Sequence, residues 1–95
     1  MSPELIRAVL NKRPGDVLNL STTGALIEVG GGALTVGTET TLTLVREAVQ
    51  VTVTARVIRI NASQRLLRWL VAVMFVDVTL EARKKISQML RPPTH

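Results

Sequence analysis

Residues 15–29 read GDVLNLSTTGALIEV, a stretch that predicts two short strands joined by a polar bend. Within it, Asn19 and Ser21 can close a bend by bonding to the backbone, and Gly24 can adopt a conformation that other residues disfavour. Further turn signals flank the stretch at residues 13–15 (RPG) and 30–32 (GGG). The segments between such signals are short and rich in Val, Leu, Ile and Thr, a spacing typical of a meandering antiparallel sheet or a small barrel.

The clearest strand covers residues 49–60. Apolar and polar residues alternate from Val49 to Val57, which places one face of this strand in the core and the other in solvent. From Ile58 onward the apolar residues occupy the alternate positions that were polar before, as a β-bulge or a barrel corner would require. Residues 40–46 alternate in the same way, so we expect a second strand there, followed by a tight connection at residues 47–48.

The C-terminal segment predicts an amphipathic helix. Its apolar residues recur at helical spacing and are expected to form one buried stripe: Ala82, Ile86, Met89 and Leu90. Thr79 is placed to cap the first turn, and Pro92 and Pro93 end the helix. Residues 70–76 are apolar on both parities, which is typical of a strand covered on two sides. We therefore expect the helix to pack on the outer face of that strand.

The first segment fits two structures. Its apolar residues are Leu5, Ile6, Val9 and Leu10. They form one face of a helix that has Ser2 as its cap and Pro3 at its first position. They also fit a buried strand that leads into a turn at residues 12–15, and periodicity alone does not decide between the two.

The motif D/N-x-S-x-x-G occurs within residues 15–29, with Asn19, Ser21 and Gly24 at its defined positions. Together with residues 71–77 (VAVMFVD), which are similar to a G-V-x-F strand, and the terminal helix, it resembles the PilZ domain family. The resemblance implies a mainly β fold, a six-stranded antiparallel barrel closed at one end by the C-terminal helix. It also implies that residues 5–11 form the first strand, paired with residues 16–20.

Many PilZ domains bind the bacterial second messenger cyclic di-GMP, so the resemblance implies a regulatory binding module of cyclic di-GMP signalling. In such domains an R-x-x-x-R motif before the first strand grips phosphates and guanine, and the D-x-S-x-x-G motif holds a guanine edge. By resemblance, Asn19, Ser21 and Gly24 are assigned to the guanine, and Arg7 or Arg13 to a phosphate.

Two departures from the family pattern bear on that assignment. The chain contains no R-x-x-x-R, since Arg7 is followed four residues on by Asn11, and Arg13 by Val17. A dianionic ligand would then lose its main charge-assisted hydrogen bonds. The amide of Asn19 has only one accepting atom, whereas a carboxylate has two. We expect weak or lost binding of cyclic di-GMP, and the alternative function is a ligand-free adaptor that binds another protein in motility, pilus or signalling machinery.

Composition narrows the class of protein. A chain of 95 residues that is 46% hydrophobic fits a single domain over residues 1–95. The absence of cysteine excludes disulfides and thiolate chemistry, and a cytoplasmic location fits it best. The N-terminus shows no signal-peptide pattern, and no apolar run approaches the roughly 20 residues that span a bilayer.

The charge of the chain favours an acidic partner. Its formal net charge is +5, and Arg, the side chain best suited to bidentate phosphate contacts, outnumbers Lys nine to three. The chain has one Trp, one Phe and no Tyr. Single-strand binders stack bases on several aromatic rings, so this scarcity argues against nucleic acid as the partner.

Residues suited to catalysis or metal binding are scarce. The single histidine is His95 at the end of the chain, and the acidic residues are scattered, so we expect no enzyme, no metal site and no cofactor. No Gly-Lys-Ser/Thr follows residues 30–32, which are therefore interpreted as a hairpin turn. Arg65, Arg68 and Trp69 either frame an anion or nucleotide site or form an exposed loop with Trp69 as rim packing, and the second interpretation is favoured.

Overall fold

Six antiparallel strands close into a barrel in the computed structural model, which describes residues 6–31 and 34–90. The elements are β1 (Arg7–Leu10), β2 (Arg13–Leu20), β3 (Gly24–Gly30), β4 (Glu39–Arg46), β5 (Val49–Ala62), β6 (Arg68–Val76) and α1 (Leu80–Leu90). Around the barrel the strands follow the order β1-β2-β3-β6-β5-β4, and β4 pairs with β1 to close it. The predicted mainly β barrel with a C-terminal helix is confirmed.

The first segment is a strand. In β1, Leu10 pairs with Arg13 and Arg7 with Asp16, so the partner of β1 is the beginning of β2 rather than residues 16–20. The turn between them is Asn11-Lys12, and both residues have positive φ, 51° and 67°. Two-residue hairpin turns need left-handed backbone, which Asn tolerates well. The turn predicted at residues 12–15 was therefore placed too late, and Arg13 already belongs to β2.

The hairpin turn predicted at residues 30–32 was wrong, because β3 and β4 are not neighbours. Strand β3 pairs with β2 and β6, whereas β4 pairs with β5 and β1, so β3 and β4 lie on opposite sides of the barrel. Gly31 has a φ of 82°, a conformation that glycine adopts without steric cost. Sequence alone did not indicate the crossover, because a turn signal marks a change of direction and does not identify the next strand's neighbours.

Two bulges shape the outside of the barrel. The register of β5 against β6 shifts between Val57 and Arg59, which confirms the bulge predicted at Ile58. The register of β2 against β3 shifts between Val17 and Asn19. Each bulge turns two consecutive side chains outward, because the extra residue interrupts the alternation of faces. The change of apolar pattern at Ile58 predicted the bulge in β5, whereas no bulge was predicted in β2.

The helix packs on the same core as the barrel. Its buried residues are Ala82, Ile86 and Met89, and the backbone N–H of Ala82 donates to Thr79 Oγ1 at 3.1 Å, as the predicted cap requires. The Arg46 guanidinium donates to the carbonyl oxygen of Met89 and fastens the end of the helix to β4. The barrel part of the core consists of Ala8, Leu10, Val17, Ile27, Val29, Leu42, Leu44, Val51, Val53, Ala55, Val57, Val71, Val73 and Phe75.

Two details of the helix prediction were wrong. Leu90 is exposed, because only three positions of the helix reach the core. The helix contacts mainly β5 and does not cover the outer face of β6, where Met74 remains exposed. The predictions made for Ser2, Pro3, Leu5, Pro92, Pro93 and His95 lie outside the described residues.

Candidate functional site

The bend between β2 and β3 is closed by Ser21. Its hydroxyl accepts hydrogen bonds from the backbone N–H groups of Thr23 and Gly24, each at 3.2 Å. The backbone N–H of Ser21 donates to the carbonyl oxygen of Gly24 at 2.9 Å. Ser21 thus makes the side chain to backbone bonds that the sequence predicted, and they fix where the two strands separate. Asn19, for which the same bonding was predicted, makes no such bond to residues 6–31 or 34–90.

Gly24 is required for a different reason from the one predicted. Its φ is not in the left-handed region. Gly24 instead pairs with Met74, and a Cβ at Gly24 would overlap the carbonyl oxygen of Val73 on β6. The close approach of two backbones, rather than a special conformation, therefore selects glycine here.

The bend opens onto a groove on the outside of the barrel, which we call the hairpin groove. It holds about 360 Å³, within the range of small-ligand sites. Its polar edge lies on the β2–β3 hairpin and its floor and far side are apolar. The lining residues are Asn19, Ser21, Thr23, Gly24, Ala25, Leu26, Ile58, Ala72, Val73 and Met74.

Asn19 lies at the polar edge of the groove. The bulge in β2 turns it outward, opposite Leu26 of β3. Among residues 6–31 and 34–90, its side chain has no hydrogen-bond partner. Its amide is therefore free to pair with a ligand, and the three predicted guanine residues Asn19, Ser21 and Gly24 all line one groove.

The two predicted phosphate residues do not line this groove. Arg7 lies on β1, where its Nε is 3.5 Å from Oδ1 of Asp16. Arg13 begins β2, and its guanidinium lies against Gly31. Arg13 and Asn19 are six positions apart along extended strand, about 20 Å at the usual rise. The site residues predicted from the family pattern are therefore divided between the groove and positions outside it.

Comparison with family models identifies the family of the whole chain. A family model for the PilZ domain matches residues 3–91, nearly the whole chain. The chain belongs to the PilZ domain family. PilZ domains are regulatory modules that bind cyclic di-GMP or act in related regulation, and they are not a family of enzymes. A search of curated proteins finds no significant match.

A second polar site of this PilZ domain is centred on Glu28, and the sequence did not predict it. Glu28 is only 7% exposed although it faces outward from β3. It accepts hydrogen bonds from the Ser63 hydroxyl, from Arg65 at 3.0 Å and from Arg68 Nε at 3.2 Å. We call these four residues the Glu28 cluster. A scattered acidic residue gave no signal of this role, because its partners lie 35 or more positions away.

The pKa of Glu28 is lowered from its ordinary value. The hydrogen bond from Ser63 has the largest effect, and the hydrogen bonds from Arg65 and Arg68 act in the same direction. Burial acts against them, because desolvation disfavours the charged form. The carboxylate thus stays ionised and holds the β5–β6 loop against β3.

The Glu28 cluster decides between the two interpretations of Arg65, Arg68 and Trp69. The charges of Arg65 and Arg68 are directed at Glu28 rather than at an open anion site. Trp69 is exposed at the beginning of β6, and its packing on the rim stays a prediction. The loop between the two arginines carries Leu66 and Leu67, which are 88% and 79% exposed.

Residues 6–31 and 34–90 contain no group of three or more His, Cys, Asp or Glu residues able to hold a metal ion. They also contain no helix with the length and apolar character needed to cross a bilayer.

Proposed function

We propose that this PilZ domain is a non-catalytic regulatory module that binds cyclic di-GMP weakly in the hairpin groove. The observation that carries the proposal is the convergence of Asn19, Ser21 and Gly24 on one groove of ligand size. A cyclic di-GMP receptor acts where the messenger is made, so we place the protein in the cytoplasm. The whole domain, residues 1–95, acts as one unit in this proposal.

The groove matches the chemistry of a guanine base. Purine faces are apolar, and Leu26, Ala72 and Met74 offer an apolar surface beside the polar edge. The free amide of Asn19 can accept from the N–H groups of the guanine edge, but through one oxygen only. We therefore propose that the groove binds guanine, with fewer hydrogen bonds to the guanine edge than a carboxylate would make.

The proposed affinity for cyclic di-GMP is weak because arginine contacts to its phosphates are missing. The chain has no R-x-x-x-R motif. Arg7 is paired with Asp16, and Arg13 lies near the opposite end of β2. Hydrogen bonds between Arg and phosphate are roughly twice as strong as neutral ones, so losing them lowers affinity more than any change at the base edge.

The substitution Asn19→Asp tests the proposed guanine contact. A carboxylate accepts two hydrogen bonds from the guanine edge, so titration calorimetry with cyclic di-GMP should show tighter binding by this variant than by the wild type. Asn61→Asp is the matched control, because Asn61 is exposed on β5 and does not line the groove. Equal affinities for the wild type and both variants would refute the guanine contact. Absence of binding by the wild type up to ~1 mM ligand, the millimolar limit of specific affinity, would reject the receptor function.

A second candidate function, a ligand-free adaptor, is favoured by the β5–β6 loop. Leu66 and Leu67 project into solvent, while the Glu28 cluster anchors the loop on both sides of them. An exposed apolar pair on a fixed loop can insert into a pocket of a partner protein with little loss of chain entropy. We propose this loop as the contact surface if the domain acts as an adaptor.

Site-specific photocrosslinking in cells tests the adaptor. A photoreactive residue at Leu66 should give a discrete protein adduct, whereas one at Leu80, a leucine of α1 that is 70% exposed, should not. The same adduct pattern at both positions would show that exposure alone produces the signal, and the adaptor surface would be rejected.

A further inference from the structure

The far side of the hairpin groove is bordered by two arginines of β5. Arg56 pairs with Met74 and Arg59 with Ala72, and both partners line the groove. Residues paired across neighbouring strands have their side chains on the same face, so both arginines lie on the outside of the barrel beside the groove. Ile58, between them, lines the groove itself.

The two arginines differ in their partners. Arg56 donates from Nε to Oε2 of Glu39 at 3.1 Å, and its second contact goes to the same oxygen. Arg59 is exposed and makes no hydrogen bond or ion pair with any residue in the described part of the chain. Arg59 is therefore a cation beside the groove whose hydrogen-bond donors are available to a ligand.

The bulge in β5 places Arg59 on this side. Because the register shifts between Val57 and Arg59, Ile58 and Arg59 both face outward in succession. An apolar side chain is thus followed directly by a guanidinium along the groove border. A nucleotide carries the matching groups, an apolar base face and an anionic phosphate joined through the sugar.

Position across the sheet supports the same assignment. Asn19 pairs with Leu26, Leu26 with Ala72, and Ala72 with Arg59. These four residues therefore form one row across β2, β3, β6 and β5. Three strand spacings separate its ends, about 14 Å. A ligand whose base is held at Asn19 would therefore extend over the apolar floor toward Arg59.

We infer that Arg59 is the phosphate-contacting residue of this groove, a role that neither Arg7 nor Arg13 is placed to fill. The inference rests on the proposed function and adds a specificity residue to it. The planar guanidinium can donate two parallel hydrogen bonds to a phosphate, which an ammonium group cannot do.

Titration of the wild type and three variants with cyclic di-GMP tests this inference. Arg59→Ala should weaken binding about tenfold, the equivalent of one charge-assisted contact. Arg59→Lys should restore only part of the affinity, because charge is kept and the planar fork is lost. Arg83→Ala is the control, since Arg83 is exposed on α1, away from the groove, and its loss changes net charge equally.

Each outcome of that titration has a separate meaning. If the wild type binds and Arg59→Ala binds as tightly as Arg83→Ala, the role of Arg59 is refuted and the receptor function stands. If the wild type does not bind at all, both proposals fail together. Heteronuclear NMR of the Arg Nε–H groups adds a direct readout, because the Arg59 signal should shift on adding cyclic di-GMP while that of Arg83 stays in place.

Discussion

Gly24 lies so close to Val73 that a methyl group at Gly24 would overlap the Val73 carbonyl oxygen. This contact joins the bend between β2 and β3 to β6, the strand that forms the floor of the hairpin groove. The glycine of the motif therefore has a structural role that holds whether or not a ligand binds.

Replacing Gly24 with Ala should destabilise the barrel. The added Cβ forces β3 away from β6, and overpacking of this kind costs about 1–3 kcal/mol in the free energy of unfolding. Urea denaturation measures the change. Gly30→Ala is the matched control on the same strand, because a Cβ there would come no closer than 3.5 Å to another group. Equal unfolding midpoints for both variants would show that the barrel absorbs the overlap.

Replacing Glu28 with Gln should lower stability more than replacing Glu81. Glu28 has Ser63, Arg65 and Arg68 as partners. A neutral amide would remove the counter-charge of Arg65 and leave Arg68 with Asp16 alone, 4.0 Å away. Glu81 is on the exposed surface of α1, where its ion pair with Lys85 has little weight. Thermal unfolding of Glu28→Gln and Glu81→Gln makes the comparison. A larger effect at Glu81 would contradict the role given to the Glu28 cluster.

Acid should remove the contribution of Glu28 to the stability of the folded domain. The pKa of Glu28 in the folded protein is below its ordinary value of 4.5, so its stabilising effect is fully present above that pH. The effect is lost as pH falls through the lowered pKa, when the carboxyl takes up a proton. Unfolding midpoints at a series of pH values should therefore decline less steeply below pH 4.5 in Glu28→Gln than in the wild type. Parallel declines would mean that Glu28 has the same pKa in the folded and unfolded chains.

The helix should stabilise the barrel through its buried face alone. Ile86→Ala removes a fully buried side chain, and such changes cost about 2–5 kcal/mol because they leave a cavity. Leu90→Ala, one turn later on an exposed position, should cost far less. Urea denaturation of the two variants tests this difference. Similar losses would indicate that Leu90 contacts more of the core than its exposure suggests.

Sequence alone predicted the parts of the fold that depend on local pattern. Alternation gave β4 and β5, the parity change at Ile58 gave the bulge, and helical spacing gave α1 with its cap at Thr79. Those signals are set by residues close together in the chain, where side-chain direction follows directly from periodicity.

Features that depend on distant residues were missed. The crossover after β3 and the partners of Glu28 are set by which strands become neighbours, and no local pattern encodes that. The same holds for the site. Asn19, Ser21 and Gly24, which the motif singles out, line one groove, and their contact with a ligand stays a prediction. Arg59 is a candidate only through its pairing with Ala72, which no local pattern indicates.

An NMR titration of the backbone amides measures whether cyclic di-GMP occupies the hairpin groove as proposed. Addition of the ligand should shift the amides of Asn19, Ser21, Gly24 and Ala72 and leave the amides of α1 unchanged. Shifts confined to α1 or to the β5–β6 loop would contradict it, and so would an unchanged spectrum at ~1 mM ligand, where even weak specific binding is visible.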